Sequence, residues 1–457
     1  MPSPIDLTRR LIERVFPRGA LTLSILTFAY FGLGLVRNRV LSNAYGANAE
    51  YEAYLAAFRI PEIAFDVVVA AGLTAPFVPI FTNLRDRDVV AAHRFGQTVL
   101  TAAVLVIAAL SLVLVVIAPL TVEWIAPSFD APTRELYVGL LRLSCLSQLF
   151  FAASFVLGEV LVAHRQFFFY ALAPLFYTGG IIAGTVLLHG RNGVAGAAVG
   201  AVAGAFAHLV VRSMGIARTP FRPRPRLAIR TPAFREFVRL MLPRMVSHPI
   251  DPVTVAFFTR LATGIGIGAT TSYNYASDYQ VVPVSLIGSA FSLAVFPSLS
   301  AAWNSGDGTA YRAILRQNVV TVAALTIAAA AVLAVLAHPI IAIVHGGGRF
   351  TGADVDRTAF VLALFALSIP FDSLAYPLSR ALYASHNTLL QVVASFAGFG
   401  TLVVSASALT GEIGIAAIPV GYTLGTAVKA ALLAVFVRRR LRLLPAASLA
   451  GSSGSGR

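Results

Sequence analysis

The sequence holds one cysteine and one lysine, and charged side chains make up only 12% of it. With Cys145 alone, no disulfide can form within the chain and no cysteine-based zinc site can be built. The short motifs of soluble chemistry are also missing: there is no P-loop, no H-E-x-x-H, no C-x-x-C and no G-x-S-x-G elbow. The Gly346-Gly347-Gly348 run reads as a turn, not as a phosphate cradle. No enzyme activity, catalytic residue, metal site or cofactor is therefore expected. The scarcity of charge also argues against a soluble protein, whose domains carry about 25% charged residues. The formal net charge of +15 comes from arginine, since Lys429 is the sole lysine. In a soluble protein such a balance would suggest nucleic acid. Here the arginines sit in short loops between apolar runs, where the positive-inside rule places them, and no nucleic-acid partner is expected.

What is abundant is apolar sequence: 57% of the 457 residues are hydrophobic, and the mean hydropathy is +0.79. A membrane-spanning helix needs about 20 mostly apolar residues. Runs of that kind fall near 20–41, 51–82, 97–123, 135–163, 167–188, 193–214, 236–260, 268–300, 314–344, 355–384, 388–410 and 414–437. They predict an all-α polytopic membrane protein with about twelve transmembrane helices. The arginine-rich loops all fall on one side, from Arg9, Arg10, Arg14 and Arg18 through Arg85, Arg87 and Arg94 to Arg438, Arg439 and Arg440. That places both termini in the cytoplasm, as an even number of spans requires. The N-terminal arginines imitate a signal peptide, but the many later spans favour a retained first helix.

The proline- and arginine-rich segment 218–235 reads as a basic cytoplasmic linker. It separates an N-terminal lobe, 1–217, from a C-terminal lobe, 236–442; the Gly/Ser-rich 443–457 is a flexible tail. The lobes are related by an internal repeat. A shift of 222 residues lays Gly46, Tyr51 and Pro61 on Gly268, Tyr273 and Pro283. A shift of 221 lays Ala163-His164-Arg165-Gln166 on Ala384-Ser385-His386-Asn387. With six spans in each half, both halves enter the membrane from the same side, the parallel-repeat plan of many secondary transporters.

Charge inside the spans is concentrated in a few of them. Helical advance of about 100° per residue puts Glu52, Arg59, Glu62 and Asp66 in one stripe roughly 80° wide, with Pro61 inside it. The seventh span repeats the pattern with Arg244, His248 and Asp251 at i, i+4 and i+7. The eighth adds Asn274, Asp278 and Gln280, and the first ends with Arg37 and Arg39. A charge at the bilayer centre costs about 2.5–3.5 kcal/mol on insertion scales, so such groups face a bundle interior or a wet cavity. The expected substrate-binding set is Arg37, Glu52, Arg59, Glu62, Asp66, Arg244, His248, Asp251, Asn274, Asp278 and Gln280. For Arg142, Glu159, Asp372 and Arg380, lone charges on other helices, a structural role is favoured.

Three stretches carry a family resemblance: Gly34-Leu35-Val36-Arg37 through Ala75-Pro76-Phe77-Val78-Pro79; Tyr275-Ala276 with Pro283 and Val295-Phe296-Pro297; and Gly348-Arg349-Phe350-Thr351 followed by Ala381-Leu382-Tyr383-Ala384. They resemble the MurJ/MviN lipid II flippases of the multidrug/oligosaccharidyl-lipid/polysaccharide exporter superfamily. The resemblance implies a V-shaped pair of six-helix lobes working by alternating access. It also implies a substrate such as lipid II, an undecaprenyl-pyrophosphate-linked sugar, and places Arg37 and Glu52 on cavity positions. The chain departs from the family at Phe31, Phe65 and Asp278, where basic residues are usual, and at Val69-Ala70-Ala71-Gly72, which lacks the family's carboxylate.

The expected function is thus a flippase for a lipid-linked cell-envelope precursor in the bacterial cytoplasmic membrane, serving peptidoglycan synthesis. Its partners would be the lipid-linked oligosaccharide and membrane lipids, with the cell-wall synthesis machinery as a candidate. Coupling to membrane potential, sodium or protons is open. The excess of carboxylates keeps a cation-coupled exporter of cationic or amphiphilic compounds as the alternative. A non-transporting envelope scaffold is a third reading.

Overall fold

A computed structural model describes residues 18–247 and 250–441; the side chains of 18–21, 70–75, 243, 244, 246 and 247 lie outside that description. Among the described residues the protein is α-helical, and its only β feature is an isolated bridge between Gly347 and Phe350. Each apolar run predicted from the sequence coincides with a helix or a pair of helices. Eight stretches are long and apolar enough to cross a membrane, the longest being Leu389–Leu441.

In the first half the helices are α1 (Arg18–Tyr45), α2 (Ala49–Phe65), α3 (Ala71–Arg87), α4 (Val89–Ile125), α5 (Ala131–Ala163), α6 (Phe167–Asn192) and α7 (Ala195–Ala217). Then come α8 (Pro232–Ser247), α9 (Ile250–Ile265), α10 (Ala269–Pro283), α11 (Ala290–Asn304), α12 (Gly308–Val335), α13 (Ala337–Val344), α14 (Gly352–Ala366), α15 (Ile369–Ala384), α16 (Leu389–Ile413) and α17 (Ala417–Leu441). Their starts follow from ordinary capping chemistry. Asn48, Asp88, Asp130 and Asp307 each accept a hydrogen bond from an otherwise orphaned backbone N–H in the first turn.

The chain divides into two compact units: residues up to Arg260 with Val344–Thr351, and Leu261–Ile343 with Gly352 onward. The core of the first is built from Phe77, Phe81, Phe95, Val156, Val160, Leu161 and Phe221. Within it α6 and α7 approach through Gly180, Gly184, Gly196, Gly200 and Gly204, where a Cβ would strike the facing backbone. The basic segment 218–230 runs along α4 rather than hanging free. Phe221 is fully buried against Phe81 and His93, Gln97 Nε2 donates to the Arg222 carbonyl at 2.8 Å, and the Arg226 amide donates to Thr101 Oγ1 at 3.0 Å. The second unit has its own core, around Leu299, Tyr311, Leu315, Leu378, Leu382 and Leu433.

The internal repeat is written into the backbone as well as into the residues. α2 passes into a π-helical turn at Asp66–Ala70, and α10 does the same at Val284–Ser289, each shortly after an in-helix proline. Arg165 and His386 both adopt φ near +56° to +57° at the ends of α5 and α15. The residue after each then donates back over one turn, Gln166 to Leu161 and Asn387 to Leu382, both at 2.9 Å. Gly193 and Gly414, 221 residues apart, close α6 and α16 with φ of +52° and +56°.

Candidate functional site

The first unit gathers most of the charge predicted for the site. On α2, Glu52 is buried at 2% exposure, and Arg59 pairs with Glu62 at 3.5 Å. The charges of Arg59, Asp66 and Arg37 all act on Glu62. Arg37 also holds Asn38 Oδ1 through Nε at 3.1 Å and Nη2 at 2.8 Å. The last residue of the stripe, Asp66, starts a π-turn between α2 and α3. Such turns change the helical register within one helix and are frequent at functional sites.

Glu62 and Asp66 stand in the wall of an open cavity of about 470 Å³ lined by residues of the first unit. Tyr30 of α1, Gln148 and Phe155 of α5, Tyr170 and Tyr177 of α6, and His208 and Arg212 of α7 also line it. Two of these, His208 and Arg212, were absent from the expected set. Arg212 is 4% exposed, donates to the Ser154 carbonyl at 2.7 Å, and lies over the rings of Phe155 and Tyr170 at 5.1 and 5.0 Å. His208 Nδ1 is 2.7 Å from Ser154 Oγ. The sequence signal for them is the i, i+4 spacing of two polar groups on an otherwise Gly/Ala/Val-rich helix. That signal was masked because Arg212 stands close to the arginine-rich segment that follows the helix.

Of the remaining predicted residues, the Arg244 side chain and His248 lie outside the described residues. Asp251 is exposed in the first turn of α9. In the second unit Asn274 is buried and donates through Nδ2 to the Thr270 carbonyl at 2.7 Å, whereas Asp278 is exposed. Gln280, 2% exposed, donates to Ser368 Oγ at 3.2 Å and to Asp372 Oδ2 at 3.4 Å. Asp372 also accepts from the Tyr422 hydroxyl at 2.8 Å. Gln280 and Asp372 thus belong to one buried polar network, which sequence spacing could not reveal because it joins three helices.

Outside the spans, the 345–350 loop is fastened to the end of α1. Ser42 Oγ donates to the His345 carbonyl at 3.1 Å, the Arg349 amide donates to the Asn43 carbonyl at 3.0 Å, and Arg39 Nη1 donates to the Gly346 carbonyl. Gly46, with φ +66°, turns the chain directly under Arg349, leaving no room for a Cβ.

The sequence profile of the family described as lipid II flippase MurJ matches residues 41–453. The chain belongs to the MurJ family. Among its relatives is a probable lipid II flippase MurJ of Thermotoga maritima, 27% identical over 436 residues, which span 93% of this chain and 85% of that protein. The fold is likewise that of a solved lipid II flippase MurJ in an inward closed conformation: TM-score 0.79, 20% identity, 92% of this chain and 87% of the other covered. An inward-facing multidrug resistance MATE family transporter of the MOP superfamily superposes almost as well, with TM-score 0.78 at 14% identity over 93% and 98% of the two chains. The expected exporter-type, all-α membrane fold is therefore established, and with it a multi-pass membrane protein.

Within the MurJ frame the departures noted in the sequence have a structural counterpart. Phe65, where a basic residue is usual, is 6% exposed and packs on Phe155 and Phe151 with centroids 5.1 and 6.0 Å away. Its ring fills core space that a guanidinium would have to leave. Phe31, at the other such position, is 62% exposed.

Proposed function

We infer that this chain is a flippase that moves a lipid-linked cell-envelope precursor, lipid II or a similar undecaprenyl-pyrophosphate-linked sugar, across the cytoplasmic membrane by alternating access. The observation that carries this reading is the match to the MurJ family over residues 41–453. The charged face of α2 supports it: a pyrophosphate is held best by charge-assisted bonds from arginine, and Arg37 and Arg59 stand on adjacent helices with acidic neighbours. In this reading Arg37, Arg59 and Arg244 contact phosphate, while Glu52, Glu62, Asp66, Asp251 and Asp278 serve sugar hydroxyls, a peptide amine or a coupling cation. His248, Asn274 and Gln280 add hydrogen bonds. Both termini lie in the cytoplasm, transport draws on the membrane potential, sodium or protons, and the cell-wall synthesis machinery is the natural partner.

The test is reconstitution in vesicles with fluorescent lipid II, comparing wild type with Arg59→Ala and Arg244→Ala. Translocation by wild type and its loss in both variants is the expected result. No translocation by wild type, or indifference to both substitutions, overturns the assignment. The carboxylate pair Glu62 and Asp66 in one cavity wall favours a second reading, cation-coupled export of cationic compounds. Proton- or sodium-dependent efflux lost in Asp66→Asn would select it.

A further inference from the structure

The basic segment 218–230 is pinned to the outer face of α4 at a definite depth. Thr98, Thr101 and Leu105 share that face by their i, i+3, i+7 spacing. Leu105 is exposed, whereas Thr98 is buried beneath the segment. The chain dips along this face and returns. Gln97 Nε2 donates to the Arg222 carbonyl, the Arg226 amide donates to Thr101 Oγ1, and the Ala228 amide donates to Thr98 Oγ1 at 3.3 Å. Beyond Thr101, α4 carries no charge until Glu123, 22 residues on, which Trp124 follows. That length is about 33 Å, close to the hydrocarbon thickness of about 30 Å. With Trp124 marking one interface, Thr101 marks the other, and the segment lies where hydrocarbon gives way to headgroups. Backbone at such a depth needs its N–H groups satisfied. Pro223 and Pro225 have none, and those of Arg226 and Ala228 are bonded to α4.

Arg224, Arg226 and Arg230 are exposed, and their guanidinium groups make no hydrogen bond or ion pair among the described residues. Glu236 is the only acid in 218–241. Asp86 and Asp88, beside the start of α4, are engaged by Arg85 and by the first turn of α4. Between the arginines stand Leu227 and Ile229, 56% and 53% exposed. Water would leave these two side chains bare, whereas acyl chains bury them. We propose that the segment docks an anionic phospholipid: the arginines hold its phosphate by charge-assisted bonds, and Leu227 and Ile229 sit among its acyl chains. Neutral phospholipids carry the same phosphate, but with a cationic amine beside it that a cluster of arginines repels. In the orientation proposed above, the lipid belongs to the cytoplasmic leaflet, whose anionic surface attracts such segments. The proposal rests on the membrane fold and not on the flippase reading.

The full-length protein is placed in nanodiscs with equal mole fractions of phosphatidylglycerol, phosphatidylethanolamine and phosphatidylcholine, and the lipids that stay bound on extraction are counted by native mass spectrometry. Phosphatidylglycerol is expected to be retained about tenfold over both others, an advantage of about 1.4 kcal/mol. The triple variant Arg224→Gln, Arg226→Gln, Arg230→Gln should lose most of that preference. The control variant Arg438→Gln, Arg439→Gln, Arg440→Gln removes the same charge from the end of α17 and should keep it. Equal retention of the three lipids by wild type, survival of the preference in the first variant, or an equal loss in the control overturns the proposal. Saturable binding of polyglutamate by wild type with no lipid preference would assign the arginines to an acidic protein and overturn it too. A second measurement leaves the arginines in place. Cys145 is buried, so Leu227→Cys can be labelled alone with a fluorophore. Its emission should be quenched more by lipid bearing a nitroxide near the top of the acyl chain than by a water-soluble quencher. The reverse order places the segment in water and overturns the proposal, whether or not the triple variant folds.

Discussion

Acidification should loosen the hold of the 345–350 loop on α1, and His345 sets the pH at which it does. Its ring is fully buried. Burial first, and the Arg39 charge second, push its pKa down to about 4 from the ordinary 6.5. The docked loop keeps the imidazole neutral between those values, whereas a released loop takes up a proton. The released state therefore binds more protons, so stability rises with pH: the contribution is complete above about pH 6.5 and is lost progressively as pH falls toward 4. At pH 5 the difference between the two titrations comes to about 2 kcal/mol, or about 30-fold in the docking equilibrium. The Arg349 amide, which donates to the Asn43 carbonyl, reports that equilibrium directly by hydrogen exchange. After correction for the intrinsic rate, its protection should fall about 30-fold between pH 7.5 and pH 5 in wild type. In His345→Asn it should be lower throughout but flat across this interval. Equal protection at both pH values in wild type, or the same fall in His345→Asn, would refute the reasoning.

Three other substitutions test the packing. Gly46→Ala puts a Cβ against the Arg349 backbone at a positive φ and should cost about 1–3 kcal/mol, read as a lower melting temperature in detergent. Phe221→Ala empties a fully buried site on α4 and should cost about 3–5 kcal/mol; protease cleavage within 218–230 should accelerate in parallel. Asp307→Ala removes two first-turn hydrogen bonds from α12 and should cost about 1 kcal/mol, with faster amide exchange confined to that turn.

Hydropathy located the helices because a bilayer imposes a length on every span, and the 221- and 222-residue shifts survive as matched turns at Arg165 and His386. The π-turn at Asp66 was not legible, since nothing in residue type distinguishes it from a kink at Pro61. The α2 stripe could be proposed from sequence because helical spacing places its members, and the Arg59–Glu62 pair is one contact within it. Arg212, by contrast, was not singled out: its burial depends on Phe155, Tyr170 and Gly158, which approach it only after folding. The same reason hid the Gln280–Asp372–Tyr422 network, whose members are 50 to 142 residues apart.

The loop that fastens α1 arrives late in synthesis. The contacts of Ser42 with His345 and of Arg39 with Gly346 span 303 and 307 residues. A ribosome must therefore deliver most of the chain before the first unit can close its own α1. Until then the end of α1 waits with these hydrogen-bonding partners missing. An N-terminal half expressed alone would stay in that waiting state, and supplying the second half in trans should complete it.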